Sequence, residues 1–199
     1  MKFGGTSVAN IDKIHNVARI VKKETSDHKI IVVLSAMAGE TNKLQKYLDE
    51  IDSEASIEND LVLTSGEQVT IGLLSSILNK ENIKALPLLG WQIPIVTDDH
   101  YENAKILNID KNIINSHFQK YDVLVLAGFQ GVNTKGHITS LGRGGSDTTA
   151  VAIASAVDAE RCDIYTDVDG VFTTDPNMSQ NAKKISKVSY EEMLEMSSM

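Results

Sequence analysis

The chain has 199 residues, of which 42% are hydrophobic and 23% charged, and its 27 acidic residues against 19 lysines and arginines give a formal net charge of -8. This composition is typical of a folded globular protein, and the acidic balance argues against a surface that holds nucleic acid or anionic lipid, because phosphates need a basic face. The single cysteine, Cys162, cannot form an internal disulfide. We find no secretory signal and no apolar run near the roughly 20 residues that span a bilayer. We therefore expect a cytoplasmic protein with no nucleic-acid or membrane partner.

Short apolar runs alternate along the chain with segments of helical periodicity. Residues 29–34 and 122–127 predict buried strands, and residues 162–166 predict a weaker one. Residues 66 to about 78 and 147 to about 157 are helix-like, and apolar side chains three and four residues apart predict a further helix near the N-terminus. These side chains are Val8, Ile11, Ile14, Val17, Ala18 and Val21. The alternation predicts an α/β fold with a mostly parallel central sheet covered by helices on both faces.

A glycine-rich segment at the N-terminus leads into the first predicted helix. Its adjacent glycines, Gly4 and Gly5, let backbone N–H groups approach a ligand closely, and Thr6 or Ser7 can cap the helix. A helix N-terminus beside Lys2 has the physical properties of a phosphate site. The alternative is a tight strand-to-helix turn with an exposed lysine.

A second glycine-rich segment, residues 142–147, precedes another apolar helix. Three of its first four residues are glycine, and such a run costs too much conformational entropy to be filler in an ordinary turn. Ser146 or Asp147 would cap the helix, and Arg143 could bind a carboxylate through two parallel hydrogen bonds. The alternative is a hairpin end followed by a well-capped helix.

A third segment, residues 165–176, follows a predicted strand, turns at Asp169 and Gly170 and ends at Pro176. Ligands of open α/β sheets usually bind at loops that follow the carboxyl ends of parallel strands. The acids of this segment could meet ribose hydroxyls or reach Mg²⁺ through water. Taken alone, Asp169-Gly170 is also simply a good turn.

The sequence lacks the motifs of several other enzyme classes. We find no Walker-type P-loop, no protein-kinase catalytic loop or D-F-G signature, and no G-x-S-x-G elbow of a serine hydrolase. The segment after Gly142 lacks the third glycine of a dinucleotide fingerprint. The five histidines and one cysteine show no zinc-ligand spacing. We therefore predict no dedicated metal site.

Taken together, six blocks of the sequence resemble the aspartate kinase family, within the amino-acid kinase (carbamate kinase-like) fold. The blocks occur in the family order, and they are residues 2–7, 33–39, 65–68, 90–92, 142–147 and 165–176. Residues 190–196 are also similar to the late helix of the family's kinase domain. The resemblance therefore extends over the whole chain.

The resemblance implies transfer of the γ-phosphoryl group of ATP to the β-carboxylate of L-aspartate. The product would be 4-phospho-L-aspartate, in the first step towards lysine, threonine, methionine and diaminopimelate. ATP would be the co-substrate, Mg²⁺ would be held mainly by its phosphates and by water, and the full-length form would be a homo-oligomer. Two alternatives stay open: another acyl-phosphate-forming amino-acid kinase, such as a glutamate kinase, or a ligand-binding remnant with impaired catalysis.

The resemblance also implies roles for individual residues. Lys2 would hold the transferring phosphoryl group, and Asp147 would orient Lys2 or balance its charge. Arg143 would bind the α-carboxylate of the substrate, and Glu67 would pair with its α-ammonium group. The remaining residues of the aspartate pocket would be Ser35, Thr41 and Ser146. ATP binding is implied for Lys2, Phe3, Gly4, Gly5, Thr6, Ser7, Gly144, Gly145, Thr166, Asp167, Asp169 and Val171.

The resemblance predicts a single kinase domain over residues 1–199, with an aspartate-binding lobe of about 1–120 and a nucleotide-binding lobe of about 121–199. Only Met1 precedes Lys2, where the family has a strand, and the chain stops just after the late helix begins. We therefore expect a domain truncated at both ends, with an incomplete nucleotide lobe and no regulatory (ACT) domains. Asn177 stands where relatives often have a basic residue, so we expect weaker ATP binding unless Lys183 or Lys184 compensates.

Overall fold

Five parallel strands form the central sheet of the structure, a computed structural model that describes residues 1–166, 170, 173–174, 179 and 181–185. In chain order the strands of the described residues are β1 (Lys2–Phe3), β2 (Ile30–Leu34), β3 (Ala85–Leu88), β4 (Ile95–Thr97), β5 (Ile106–Ile109), β6 (Val123–Ala127), β7 (Gln130–Asn133), β8 (Ile138–Ser140) and β9 (Ile164–Tyr165). The central sheet has the order β3-β6-β2-β1-β9. Lys2 lies between Val33 of β2 and Ile164 of β9, so the first glycine-rich turn follows a strand in the middle of the sheet.

Helices cover both faces of this sheet. They are α1 (Ile11–Glu24), α2 (Glu40–Glu50), α3 (Ile57–Leu63), α4 (Ser65–Lys80), α5 (Lys111–His117) and α6 (Gly145–Ala156). Because successive strand residues point to opposite faces, Val32 and Val125 pack in the apolar layer of α1 and α4. Val33 and Leu124 pack in the layer of α5 and α6. The predicted fold class is confirmed.

A second sheet of four short strands was not predicted. Its order is β5-β4-β7-β8, with β4 antiparallel to β5 but parallel to β7, and β7 antiparallel to β8. Its buried positions include the hydroxyl pair of Thr97 and Thr139, whose oxygens lie 2.6 Å apart. Strands of three or four residues with polar side chains inside have no apolar run by which a sequence reveals them.

The predicted helix caps were wrong at both glycine-rich segments. Residues Gly5–Val8 form a short 3-10 helix, and α1 begins only after Asn10, whose side chain accepts a hydrogen bond from Lys13 N–H (2.9 Å). Thr6 and Ser7 therefore do not cap α1. At α6 the cap position is Gly144, which has no side chain for capping. Ser146 and Asp147, the predicted caps, lie in the first helical turn instead.

One stretch, Ile57–Lys80, is long and apolar enough to cross a membrane by length and composition alone. Half of its most apolar window is buried inside the protein, and Leu74 and Leu78 of α4 belong to the core against α1. A buried core helix passes the same test, so this stretch is not evidence for a membrane span.

The chain divides into two compact units, Met1–Tyr165 and Thr166–Met199. All the elements above belong to the first unit. In the second, Thr173 N–H donates to the Lys183 carbonyl (3.0 Å), and Lys183 N–H donates to Thr173 Oγ1 (3.1 Å). The predicted lobes, divided near residue 120, stay a prediction.

Candidate active site

A cleft of about 240 Å³ opens where β1, β2 and β6 end, at the carboxyl edge of the parallel sheet. This is the edge at which open α/β sheets usually bind their ligands. The cleft brings together every residue predicted to be catalytic or to bind the amino-acid substrate. Its lining consists of Lys2, Ser35, Thr41, Glu67, Phe129, Gly142, Arg143, Gly144, Gly145, Ser146 and Asp147.

A buried lysine and a half-exposed aspartate form the ion pair of the cleft. Lys2 Nζ lies 2.7 Å from Asp147 Oδ1, and the side chain of Lys2 is only 10% exposed. Oδ1 is buried and has no aligned hydrogen bond within the described residues, so the contact is an ion pair. β1, an inner strand of the sheet between β2 and β9, carries Lys2, and the first turn of α6 places Asp147 beside it. Asp147 thus holds the ammonium group of Lys2 at one position in the cleft.

Glu67 is a buried carboxylate that is only half satisfied. Its Oε1 accepts a hydrogen bond from Ala36 N–H (3.0 Å), whereas the buried Oε2 has no hydrogen-bond partner in the part of the chain that the structure describes. Burial raises the pKa of Glu67 from 4.5 to about 7, against the lowering effect of the bond from Ala36. An uncompensated carboxylate oxygen at the wall of a cleft is suited to a cationic ligand group.

Arg143 supplies a further positive charge to the lining, without an acidic partner among the described residues. It lies between Gly142 and Gly144, whose φ angles of 71° and 74° are in the left-handed region that glycine adopts without strain. Arg143 is exposed, and no acidic side chain among the described residues pairs with it. The loop therefore presents a guanidinium beside the N-terminus of α6, where the helix dipole also favours an anion.

Comparison of the chain with known proteins identifies its family. Residues 1–199 match the model of the amino acid kinase family. The chain belongs to the amino acid kinase family. An aspartokinase of Rickettsia felis is 50% identical over 202 residues, which cover 99% of this chain and 50% of the relative. The chain thus spans about half the length of the curated relatives it matches.

Solved structures of aspartate kinases have the same fold. Aspartokinase III of E. coli, crystallised with aspartate and ADP, is 28% identical with a TM-score of 0.84, over 100% of this chain and 55% of that one. The aspartate kinase of Synechocystis is 38% identical with a TM-score of 0.82, over 99% of this chain and 33% of that one. The amino acid kinase architecture is thus shared over nearly the whole chain.

The cleft of this amino acid kinase also contains residues that sequence reasoning missed. Phe129 follows β6 with a φ of 68°, and its N–H donates to Thr149 Oγ1 (3.1 Å) while its carbonyl accepts from Leu141 N–H (2.9 Å). These bonds hold the β6 end against the loop of Arg143. Only its place in the sequence could have indicated Phe129, because Gly128-Phe129 directly follows the strongest apolar run of the chain.

Of the nine described residues predicted for ATP, six do not line the cleft, and the three that do are Lys2, Gly144 and Gly145. Phe3 is buried and stacks on Tyr165 with ring centroids 4.4 Å apart, and Gly4, Gly5, Thr6 and Ser7 lie in the turn beyond it. The other predicted ATP residues fall in the third segment. Thr166 is described but belongs to the second unit, and Asp167, Asp169, Val171 and Asn177 lie outside the described residues. ATP binding by all of these stays a prediction.

A larger cavity, of about 710 Å³, lies at the amino ends of β1 and β2, away from every predicted site residue. The arginine of this cavity is already paired, because Arg161 lies 3.2 Å from a Glu24 oxygen and 2.7 Å from Asp163 Oδ2. The Met1 amino group donates to the Ile31 carbonyl (2.8 Å). We place the candidate active site in the smaller cleft because Glu67 Oε2 and Arg143 of that cleft have no partner among the described residues.

No group of three or more His, Cys, Asp or Glu side chains within the described residues could hold a metal ion. In phosphoryl-transfer sites, however, Mg²⁺ usually keeps several waters and binds substrate phosphates with only one or two carboxylates. Asp147, half exposed at the cleft, fits that pattern. The residues present therefore suit a magnesium ion that arrives on a nucleotide.

Proposed function

We propose that this chain is the catalytic domain of an aspartate kinase, which transfers the γ-phosphoryl group of ATP to the β-carboxylate of L-aspartate. ADP and 4-phospho-L-aspartate are the products. The observation that carries the proposal is the unpartnered Oε2 of Glu67, buried in the same cleft as the unpaired guanidinium of Arg143. The names of the relatives support it, because the curated proteins about 50% identical to this chain are aspartokinases.

The two unpaired groups suit the two ends of a free α-amino acid. The α-ammonium group would donate to Glu67 Oε2, and the α-carboxylate would take two parallel hydrogen bonds from Arg143. A ligand that offered only one of these charges would leave the other protein group without a partner, which is costly in a partly buried site. Ser35, Thr41 and Ser146 lie in the same lining and would meet the remaining polar atoms of the substrate.

The chemical step needs positive charge more than it needs a base. An aspartate side chain has a pKa of about 3.9, so the attacking carboxylate is ionised at neutral pH without help. The obstacles are repulsion between this carboxylate and the polyphosphate, and charge on the transferring group. Lys2 Nζ, held by Asp147, would bind the oxygens of the γ-phosphoryl group, and the N-terminus of α6 would favour the same anion.

Magnesium and the oligomeric assembly complete the proposal. Mg²⁺ bound to the phosphates of ATP would neutralise part of their charge, and Asp147 is a carboxylate of the described cleft that could hold it through water. The described residues supply the binding of the amino acid and the orientation of Lys2. We place the reaction in the cytoplasm, within a homo-oligomer of the longer enzyme.

A substrate panel tests the proposal. The chain would be incubated with Mg-ATP and hydroxylamine, which traps acyl phosphates as hydroxamates, with L-aspartate or L-glutamate as acceptor. We expect product with aspartate and a loss of at least about 100-fold in Lys2→Ala, since one electrostatic contact to the transition state contributes on this scale. Circular dichroism would check that the variant is folded.

Two results would overturn the proposal in different ways. Faster turnover of glutamate would identify a glutamate kinase. Aspartate turnover no higher than that of Lys2→Ala, in a folded chain that still binds aspartate, would identify a ligand-binding remnant. Lys13→Ala is the matched control, because Lys13 is an exposed lysine that donates to the Thr6 carbonyl outside the cleft (2.8 Å).

A further inference from the structure

Asp60, in the short helix α3, is fully buried and lies outside the lining of the cleft. No cationic side chain pairs with it among the residues that the structure describes, and its carboxylate is satisfied by three hydrogen-bond donors instead. Ser140 N–H donates to Oδ2 (2.9 Å), while Ser140 Oγ and Glu102 N–H donate to Oδ1 (2.6 Å and 2.9 Å). A buried carboxylate is costly to desolvate, so its placement calls for a structural or functional reason.

The donors tie Asp60 to the strand that leads into the arginine loop. Ser140 is the last residue of β8, three positions before Arg143. Its N–H and Oγ are held by Asp60, and its carbonyl accepts from Ala104 N–H (2.8 Å). Ser140, from which the chain enters the loop, is therefore held by hydrogen bonds at its N–H, its hydroxyl and its carbonyl group.

The third donor, Glu102 N–H, belongs to a turn that packs against the arginine loop. Glu102 N–H, bound by Asp60, belongs to the turn between β4 and β5. A Cβ atom on Gly142 would stand 2.7 Å from Asn103 Oδ1 and 3.1 Å from the Glu102 carbonyl, so this turn packs directly on the loop. The carboxylate of Asp60 thus holds both the start of the arginine loop and the surface against which it lies.

The main chain of Asp60 bonds to the residue that precedes the helix of Glu67. Its carbonyl accepts from Thr64 Oγ1 (2.7 Å) and from Thr64 N–H (3.1 Å). Thr64 immediately precedes α4, whose first turn carries Glu67, and the Thr64 carbonyl accepts from Gln130 Nε2 (3.1 Å). One residue therefore links the helix that carries Glu67 to the loop that carries Arg143.

We propose that Asp60 is a positioning residue that sets the separation of Arg143 from Glu67, so that both ends of one amino acid are bound together. The inference rests on the proposed function for its substrate, but the link itself is a property of the fold. Loss of the link would leave each group chemically intact and misplace the arginine loop. The defect would therefore be larger in the binding of the amino acid, which Arg143 would contact directly, than in the binding of ATP.

Asp60→Asn tests the link by removing one acceptor oxygen. An amide has one acceptor oxygen, so its NH₂ group would face the N–H of either Ser140 or Glu102 without a hydrogen bond. We expect the KM for aspartate to rise about tenfold, equivalent to about 1.4 kcal/mol, with a smaller rise in the KM for ATP. Ser140→Ala removes one donor of three and should raise the KM for aspartate by a smaller factor in the same direction.

A matched control separates positioning from general destabilisation. Asn79 also bonds main-chain groups with its side chain, donating to the Ala85 carbonyl (2.9 Å) and accepting from Ala85 N–H (3.1 Å), but at the amino end of β3. Asn79→Ala should lower the melting temperature and leave the KM for aspartate unchanged. If Asp60→Asn lowered the melting temperature and left that KM unchanged as well, Asp60 would be merely structural and the inference would be wrong.

Hydrogen exchange measured by mass spectrometry tests the link without turnover. Amides of residues 141–147 should exchange faster in Asp60→Asn than in the parent chain and in Asn79→Ala. Unchanged exchange there would overturn the inference even if the chain were active. If the parent chain neither bound nor phosphorylated aspartate, the proposed function would fail, while the exchange rates would still decide the link. If Asp60→Asn did not fold, Ser140→Ala would decide both readouts.

Discussion

Replacing Glu67 by glutamine should remove a pH dependence from aspartate binding. Burial places the pKa of Glu67 at about 7, so at neutral pH roughly half of the molecules carry a protonated side chain. The α-ammonium group of the substrate would bind only the ionised form, through the unpartnered Oε2. The β-carboxyl group of aspartate, with a pKa of about 3.9, is ionised throughout the relevant range.

The size of the effect follows from the fraction of ionised Glu67. With a pKa of about 7, the Kd for aspartate should be about tenfold weaker at pH 6 than at pH 8, because the binding-competent form falls from about nine-tenths to about one-tenth. Binding of aspartate below pH 7 should also release the proton of Glu67 to the solution. Isothermal titration calorimetry at pH 6, 7 and 8 measures the affinity, and buffers of different ionisation enthalpy reveal the proton.

Glu67→Gln should bind aspartate more weakly at pH 8 and with a nearly constant Kd from pH 6 to pH 8. Glu81→Gln is the control, since Glu81 is paired with Lys22 on the surface and should keep the parental pH profile. A parental Kd that did not change between pH 6 and pH 8, or a Glu67→Gln profile as steep as the parental one, would refute the assignment of Glu67 to the ammonium group.

The same carboxylate has a predictable effect on stability. Its pKa is higher in the folded chain, about 7, than the ordinary value of 4.5, so the folded state binds the proton more tightly. Its contribution to stability is therefore greatest below pH 4.5 and falls as the pH rises to 7, by about 3 kcal/mol in total. Glutamine cannot ionise, so the stability of Glu67→Gln relative to the parent should increase by about that amount from pH 4.5 to pH 8, as measured by urea unfolding.

Three further substitutions test the other parts of the site. Asp147→Asn should lower kcat about 100-fold with little change in KM for aspartate, because it releases Lys2 from its 2.7 Å contact. An unchanged kcat in steady-state assays would contradict the role of Asp147 in orienting Lys2. Arg143→Lys should raise the KM for aspartate by about tenfold or more, since a lysine cannot make two parallel bonds to a carboxylate, whereas an unchanged value would place the carboxylate elsewhere. Asn177→Arg should lower the KM for ATP in an ATP titration, and an equal or higher KM would count against a deficit of positive charge at that position.

The apolar patterns were sufficient to predict the main elements. The run at residues 122–127 became β6, and the helical face that includes Ile14 and Val17 became the buried side of α1. Ile11 is the exception, being 47% exposed, because it stands at the start of the helix, next to the cap. Periodicity reports which side of an element is apolar, but it does not report where the element ends.

The local motifs indicated the site residues but not their geometry. Lys2, Glu67 and Arg143 were predicted from blocks far apart in the chain, and the structure places them in one cleft. Phe129 and Asp60 were missed, because neither belongs to a motif with a recognisable chemistry. Asp60 gains its importance only from a hydrogen bond to Ser140, 80 positions further along the chain.

The sequence by itself determined the fold class, the family resemblance and the types of charged group at the site, because these depend on local patterns of apolar residues, glycines and charges. The tertiary structure alone decided that Glu67 keeps an oxygen without a partner among the described residues, that Lys2 pairs with Asp147, and that Asp60 bonds both to Thr64, before the helix of Glu67, and to Ser140, before the loop of Arg143. Burial and hydrogen bonding between distant segments are properties of the packed chain, and no local pattern encodes them.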